Sequence, residues 1–346
     1  MLIQADHFNG CYRIALNNAS DGAEVVSDLS YLCGATPKTL TFDFTHMAAP
    51  LTQEDREDYL PGSFGYQPTR QLTEVVAAID AYAALVPIPA HRLTALLPDR
   101  QSRVGAFLAD MQLSAVLAHI GLVVTFAGPA NLELGNDDTT RQNLIRLTSI
   151  ILASDGSPNF AQLQQTRSRI ENVFSLALPS NVDLASSFTS ITFEAVDNAI
   201  EYGGGGIIGG LYYPRAGEVE ISLVNRCGGF GGRTPADELE TLISAWEGSS
   251  HRGRGGGNGI AELSRLTAAC FGTLLLRNGS ATLQLLPDGS LTASVDETGL
   301  PTPGAAVTIL LQLLPTHAIG RTDALRSFES VLEASLVMYQ RGGSTP

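Results

Sequence analysis

The sequence predicts an α/β protein of two domains, and three observations lead there. At 346 residues the chain exceeds a typical single domain of roughly 100–150 residues. Strand-like alternation and helical periodicity succeed one another on both sides of a polar segment, residues 131–140 (NLELGNDDTT), which reads as the boundary. The hydrophobic fraction of 44% is that of a chain able to bury a core, which excludes a disordered or fibrous protein.

Residues 1–130 read as a small α/β domain. Its opening text is rich in strand formers, and Leu40-Thr41-Phe42-Asp43-Phe44 alternates as a half-buried strand does. Thr52 with Asp55 fits a helix cap. Residues 70–85 place Leu72, Val75, Val76, Ile79 and Tyr82 at helical spacing, and the proline-containing stretch 86–90 ends that helix. A second amphipathic helix carries Val104, Phe107, Leu108, Met111 and Leu117 on one side, and residues 121–126 (GLVVTF) suit a short strand.

Beyond the linker, mainly helical text runs over 141–174. A longer helix, 184–202, carries Leu184, Phe188, Ile191, Ala195, Ala199 and Tyr202 on its apolar side. The run 218–225 (EVEISLVN) alternates as a strand, 260–270 is a helix, and two further strands precede a final one over 306–313. Residues 316–346 hold a last amphipathic helix, 318–339, and a polar tail. The stripe of that helix (Ala324, Leu325, Phe328, Val331, Leu332, Leu336) suits packing on its own domain or on a second subunit, as in a homodimer.

Charge narrows the function. With 21 Lys+Arg against 35 Asp+Glu, the formal net charge is −14, and a field of that sign repels phosphate backbones and anionic membranes. Neither nucleic acid nor a membrane is therefore an expected partner. No apolar run is long enough for a membrane span. The opening residues lack the basic-then-apolar pattern of a secretory signal. The expected location is cytoplasmic, with Cys11, Cys33, Cys227 and Cys270 as reduced, mostly buried thiols that form no CxxC pair. Lys38 is the one lysine, and no P-loop can be built without a lysine after its glycines.

Two features carry chemistry. Glu194 and Asn198 stand four apart on the helix 184–202, so a carboxylate and a carboxamide share one face. That pair suits a magnesium ion with its waters, and the carboxylate suits a general base; a solvated helix face has the same spacing. The second feature is glycine: 17 of the 35 fall between Gly203 and Gly259. The strand 218–225 runs into Arg226-Cys227-Gly228-Gly229-Phe230-Gly231-Gly232, and Gly253-Arg254-Gly255-Gly256-Gly257-Asn258-Gly259 leads into the next helix. Glycines at a helix N-terminus let backbone N–H groups reach phosphate oxygens; a floppy surface loop is the plainer reading. Arg226, Arg233, Arg252 and Arg254 add local positive charge, and the roughly twenty residues between the clusters are long enough to close over a ligand. Trp246 reads equally as an anchor of that segment or as a core aromatic.

Four segments in order resemble the GHKL ATPase domain shared by histidine kinases, gyrase-type ATPases and anti-sigma serine kinases: FEAVDNAIEYG (193–203), VEISLVNRCGGF (219–230), HRGRGGGNGIAEL (251–263) and GAAVTILLQL (304–313). They are similar to the N-box (E-x-x-x-N-A, nearest the anti-sigma type), the adenine box, the glycine box closing the ATP lid, and the last strand with its threonine. The resemblance covers about residues 140–315. It implies a two-layer α/β sandwich over 141–315, with helices on one face of a mixed sheet and a lid at about 226–258.

By the same resemblance the cofactors are ATP and magnesium, Glu194 is the catalytic base, and Asn198 holds the metal. Asn225, Gly229, Arg254, Gly255, Gly257, Gly259 and Thr308 line the nucleotide. Two positions depart from the pattern. Asn225 stands where the family has an aspartate that reads adenine, a loss of charge assistance worth on the order of 1 kcal/mol, and Cys227 replaces the first glycine of that box.

More weakly, LTFDF (40–44) and FLADMQLSAVLAHIGL (107–122) resemble the STAS-like domains of anti-sigma antagonists, without that family's phosphoacceptor segment. The pairing implies a regulatory switch acting on a protein partner, of the sigma or antagonist type. It would bind ATP and hydrolyse it or phosphorylate a serine or threonine. The alternative is a catalytically degenerate scaffold working through protein contacts alone.

Overall fold

In the computed structural model, the described residues are 3–6, 10–17, 25, 28, 29, 32, 37–47, 68–85, 92–128, 142–152, 156–214, 217–226, 234–247, 259–270, 272–295 and 304–313. They form two sheets with helices between and over them. The first sheet holds β1 (Ile3–Asp6), β2 (Cys11–Asn17), β3 (Thr39–His46), β4 (Leu93–Leu97) and β5 (Val123–Phe126), in that spatial order. β1 and β2 pair antiparallel and the remaining pairs are parallel, so this sheet is mixed. The alternation read in residues 40–44 gives β3, but Asp43 is buried along with Leu40, Phe42 and Phe44. Arg13 of the neighbouring β2 and Thr45 hydrogen-bond the Asp43 carboxylate and make that burial tolerable.

Helix α1 (Pro68–Leu85) matches the helix expected at 70–85. Its residues 71–80 are buried on every side, which marks a helix lying between two layers rather than on a surface. β4 follows it, a strand the sequence reading did not separate from the helix after it. That helix is in fact two, α2 (Arg103–Asp110) and α3 (Leu113–His119). The break falls at Gln112, which is left-handed (φ 57). The Met111 carbonyl accepts from the Leu147 amide of the second sheet, at 3.0 Å, and not from a next helical turn.

The second sheet runs β11 (Leu291–Val295), β10 (Ala281–Leu285), β9 (Thr273–Asn278), β12 (Ala305–Gln312), β8 (Glu218–Asn225), β7 (Gly205–Tyr213), β6 (Leu144–Ile151). Every pairing in it is antiparallel, so the mixed sheet of this protein is the first one. Three of its strands correct the sequence reading. β6 occupies text taken as helical. Its faces are both buried, Leu144 and Leu147 toward α1 and Ile145 and Ile150 toward the helices, so the period-2 signal is lost, and a register shift between Ile145 and Thr148 blurs it further. β7 lies in the glycine-rich text. At Gly209 a Cβ would stand 3.0 Å from Thr73 Oγ1 and from Leu147 Cδ2, so close packing, not mobility, explains glycine there. β11 is an exposed edge strand, which raises the strands before the last from two to three.

Helices α4 (Phe160–Ala177), α5 (Val182–Gly203), α6 (Pro235–Trp246) and α7 (Gly259–Ala269) share one core with a face of this sheet, where the rings of Phe174 and Phe188 stack at 5.1 Å. The opposite face is covered as well. Leu72, Val75, Val76 and Ile79 of α1 join Leu147, Ile207, Val224 and Ala306 in the core of the first sheet. The two-layer expectation thus becomes helices, sheet, and a further helix behind. Among the described residues no helix is long and apolar enough to cross a membrane. The boundary 131–140, the cap at Thr52 and the helix 318–339 lie outside the described residues.

Candidate functional site

α5 positions the central pair. Asn181 caps it, its side chain accepting from the Leu184 amide at 3.0 Å. Leu184, Phe188, Ile191, Val196 and Ala199 hold it on the sheet. Glu194 and Asn198 fall on the outer side, both exposed, one turn apart.

α7 brings Gly259, the last glycine of the run 253–259, to this pair. Its first residue, Gly259, lies against the Glu194 side chain. A Cβ there would stand 2.6 Å from Oε1 and 2.8 Å from Cδ. The Glu194 carboxylate therefore sits beside the open amides of a helix N-terminus. Partial burial, with the negative charges of Glu262 and Asp197 nearby, pushes this carboxyl above the ordinary glutamate range. Asp197 is also raised, by burial and by Glu201, against the pull of Arg167. Arg167 in turn lies over the Phe193 ring at 5.3 Å.

The far end of α5 meets the end of β8. Gly203 packs on Asn225 so closely that a Cβ would lie 2.8 Å from the Asn225 Cβ and Cγ. From the other side comes Gly304, at φ +66, where a Cβ would stand 2.4 Å from the Asn225 carbonyl oxygen. Asn225 is thus cradled between two glycines a hundred residues apart in the chain. Gly203 stands nine positions after Glu194 on α5, about 13 Å along the helix.

Glu194, Asn198, Asn225 and Gly259 accordingly share the helix-covered side of the second sheet. Thr308 does not. It pairs with Ser222, their hydroxyls 3.0 Å apart and fully buried. Ser222 pairs with Gly209, which faces Thr73 of α1, so Thr308 points to the opposite face. Strand alternation decides this: Val307 and Ile309 take the helix side. Arg226 is likewise not a free cation near Asn225, because it turns to α1 and pairs with Asp80.

The expected lid is in part a fixed helix. α6 starts with a capping box of Thr234 and Asp237. Glu238 accepts from the Ser280 amide and hydroxyl at 2.9 and 2.7 Å, and Leu242 is fully buried. Trp246, half-buried at the end of α6, packs against the core. Gly229, Arg254, Gly255, Gly257, Cys227, Arg233 and Arg252 lie outside the described residues.

Sequence reasoning missed Glu262, Asp197 and Arg167. Glu262 had a signal, since three residues after Gly259 is the first turn of α7. Arg167 had none, because it reaches the site only through the packing of α4 on α5. Of the thiols, Cys270 is buried, which pushes it up to about 12, while Cys11 is exposed.

A scan of known protein families finds no match to the chain. A search of curated proteins finds no match either.

Proposed function

We propose that the chain is a nucleotide-binding switch, with ATP and magnesium laid along α5 between Asn225 and Glu194. The observation that carries this reading is the contact of Gly259 with Glu194. It sets the helix N-terminus that follows the glycine box beside the one Glu/Asn pair whose spacing resembles the GHKL N-box. At the other end, Asn225 in its glycine cradle offers a carbonyl oxygen to a base amino group. The span of about 13 Å along α5 suits a base at one end and a triphosphate at the other.

The donors present fit a magnesium ion. A hard cation that keeps several waters needs few protein oxygens, and the exposed Asn198 carboxamide supplies one a single turn from Glu194. When bound, the ion would neutralise phosphate charge. The α7 amides would donate to phosphate oxygens, and Glu194 would take the proton from a water or from a partner serine or threonine hydroxyl. Its raised pKa makes it a stronger base than a solvated glutamate. In this reading the chain is an ATPase or a serine/threonine kinase of the GHKL type, the first sheet belongs to a STAS-like unit, and the partner is a regulatory protein in the cytoplasm.

One observation favours the degenerate scaffold. Glu194, Asp197, Glu201 and Glu262 crowd the site with negative charge, which opposes a triphosphate that arrives without its metal. Calorimetric titration of ATP and ADP, with and without magnesium, into the wild type and Asn198→Ala separates the two. Magnesium-dependent binding weakened by the substitution supports the nucleotide site, whereas no binding at millimolar ATP leaves the scaffold.

A further inference from the structure

The last residue of β8, Asn225, and the residue after it, Arg226, face opposite ways. Asn225 turns toward α5. Arg226 turns through the sheet to α1, where its Nη2 donates to Asp80 Oδ1 at 3.1 Å and its Nε stands 3.1 Å from Oδ2. The Asp80 side chain is 3% exposed and that of Arg226 30%. The Arg226 amide also donates to the Gly205 carbonyl at 3.0 Å, beside the C-terminal end of α5. Two other ties bind the same helix to the sheet. Arg277 of β9 donates to Glu74 at 3.1 Å. Glu220 of β8 accepts from the Arg70 amide at 2.7 Å and from the Tyr213 hydroxyl at 3.2 Å. Only the Asp80 tie adjoins Asn225 in the chain.

We propose that Asp80 is a positioning residue for the nucleotide site: it fixes Arg226 across the sheet, and through it the strand end that presents Asn225. The N-terminal unit then sets the affinity of a site it does not touch. This rests on the nucleotide reading above. The physical link is short. Residues 225 and 226 share a peptide plane, so a swing of Arg226 turns the Asn225 backbone within its glycine cradle. A two-point guanidinium–carboxylate pair fixes orientation as well as distance. Without the carboxylate, Arg226 is exposed enough to turn to water. Coupling of this kind is reciprocal, so bound nucleotide must also tighten the contact of α1 with β8.

The test uses the full chain and three single substitutions. Asp80→Asn and Arg226→Gln break this tie with little change of volume. Glu74→Gln breaks the neighbouring tie on the same helix, and so reports what loosened docking of α1 does by itself. Magnesium–ATP affinity is measured by calorimetry, and amide hydrogen exchange is followed at 203–206 and 224–226 without nucleotide. Asp80→Asn and Arg226→Gln are expected to weaken ATP about tenfold and to speed exchange at both segments. Glu74→Gln is expected to leave affinity within about twofold. Equal effects of all three substitutions, or unchanged affinity in the first two, overturn the proposal. Should the wild type bind no ATP, the nucleotide reading falls and exchange alone decides the tie. Faster exchange at 224–226 in Asp80→Asn and not in Glu74→Gln upholds the positioning of the strand end; unchanged exchange overturns it.

Discussion

Gly259 leaves room for Glu194: any side chain at the first residue of α7 would occupy space within 2.6 Å of the carboxylate oxygen. Here the contact is with the end of a flexible, exposed side chain, so the fold can accept a methyl group by moving the carboxylate aside. Gly259→Ala should therefore keep thermal stability within about 1 kcal/mol. Under the proposed nucleotide reading, ATP turnover should fall roughly ten- to hundredfold, because Glu194, the proposed base, is displaced. Melting curves and steady-state rates check both halves.

The charge on Glu262 helps raise the Glu194 carboxyl. Glu262→Gln removes a like charge and should bring the Glu194 midpoint down toward the ordinary glutamate range, as read by carboxyl-carbon NMR titration. An unchanged midpoint would show that burial and Asp197 set it without Glu262.

Gly203 differs from Gly259 in what it touches. The atoms it meets, the Asn225 Cβ and Cγ, are tied closely to the backbone of β8 and cannot swing away. Gly203→Ala should cost about 1–3 kcal/mol by overpacking, measured by urea denaturation, and should displace Asn225 as well.

Asparagine accepts a hydrogen bond without charge. Asn225→Asp restores the residue that the family resemblance implies at this position and should tighten ATP about fivefold. Calorimetry gives the answer directly, and no change would show that this position does not read the base.

Asp43 sets an acid limit on the first sheet. Burial works to raise its carboxyl, but the hydrogen bonds of Thr45 and Arg13 and the arginine charge outweigh it and hold the group below the ordinary aspartate range. A carboxylate with a depressed folded pKa contributes stability above its unfolded pKa, about 3.9, and loses it as pH falls through the folded value. Urea denaturation from pH 7 down to 3 should show the stability gap between wild type and Asp43→Asn closing on the acid side.

Helices α1 and α5 were legible from apolar residues at helical spacing: they stand close to where Leu72–Ile79 and Leu184–Ala199 place them. β3 and β8 were legible by alternation. β6 and β7 were not, because strands buried on both faces carry no polar alternation, and glycine in β7 reads as loop when it is there for close packing. In the candidate site, Glu194 and Asn198 share a helix face as their spacing implies, whereas Asn225 is singled out only by the family resemblance. Thr308 failed because its role depended on which way a strand residue faces, and one step of register reverses that. Arg226 failed because its partner lies 146 positions away, a distance no local pattern reports.

The cover that α1 provides on the back of the second sheet bears on how this chain can be divided. The segment 131–140 invites a cut into two freely exchangeable modules. A fragment made by that cut would carry Val224 and Ala306 on a face without its apolar cover, and Glu220 would lose the Arg70 amide, its donor from α1. Tandem order in the sequence is here not modularity. A graft that replaces the N-terminal unit must bring a helix whose carboxylates match Arg226 and Arg277, or the second sheet arrives with its back uncovered.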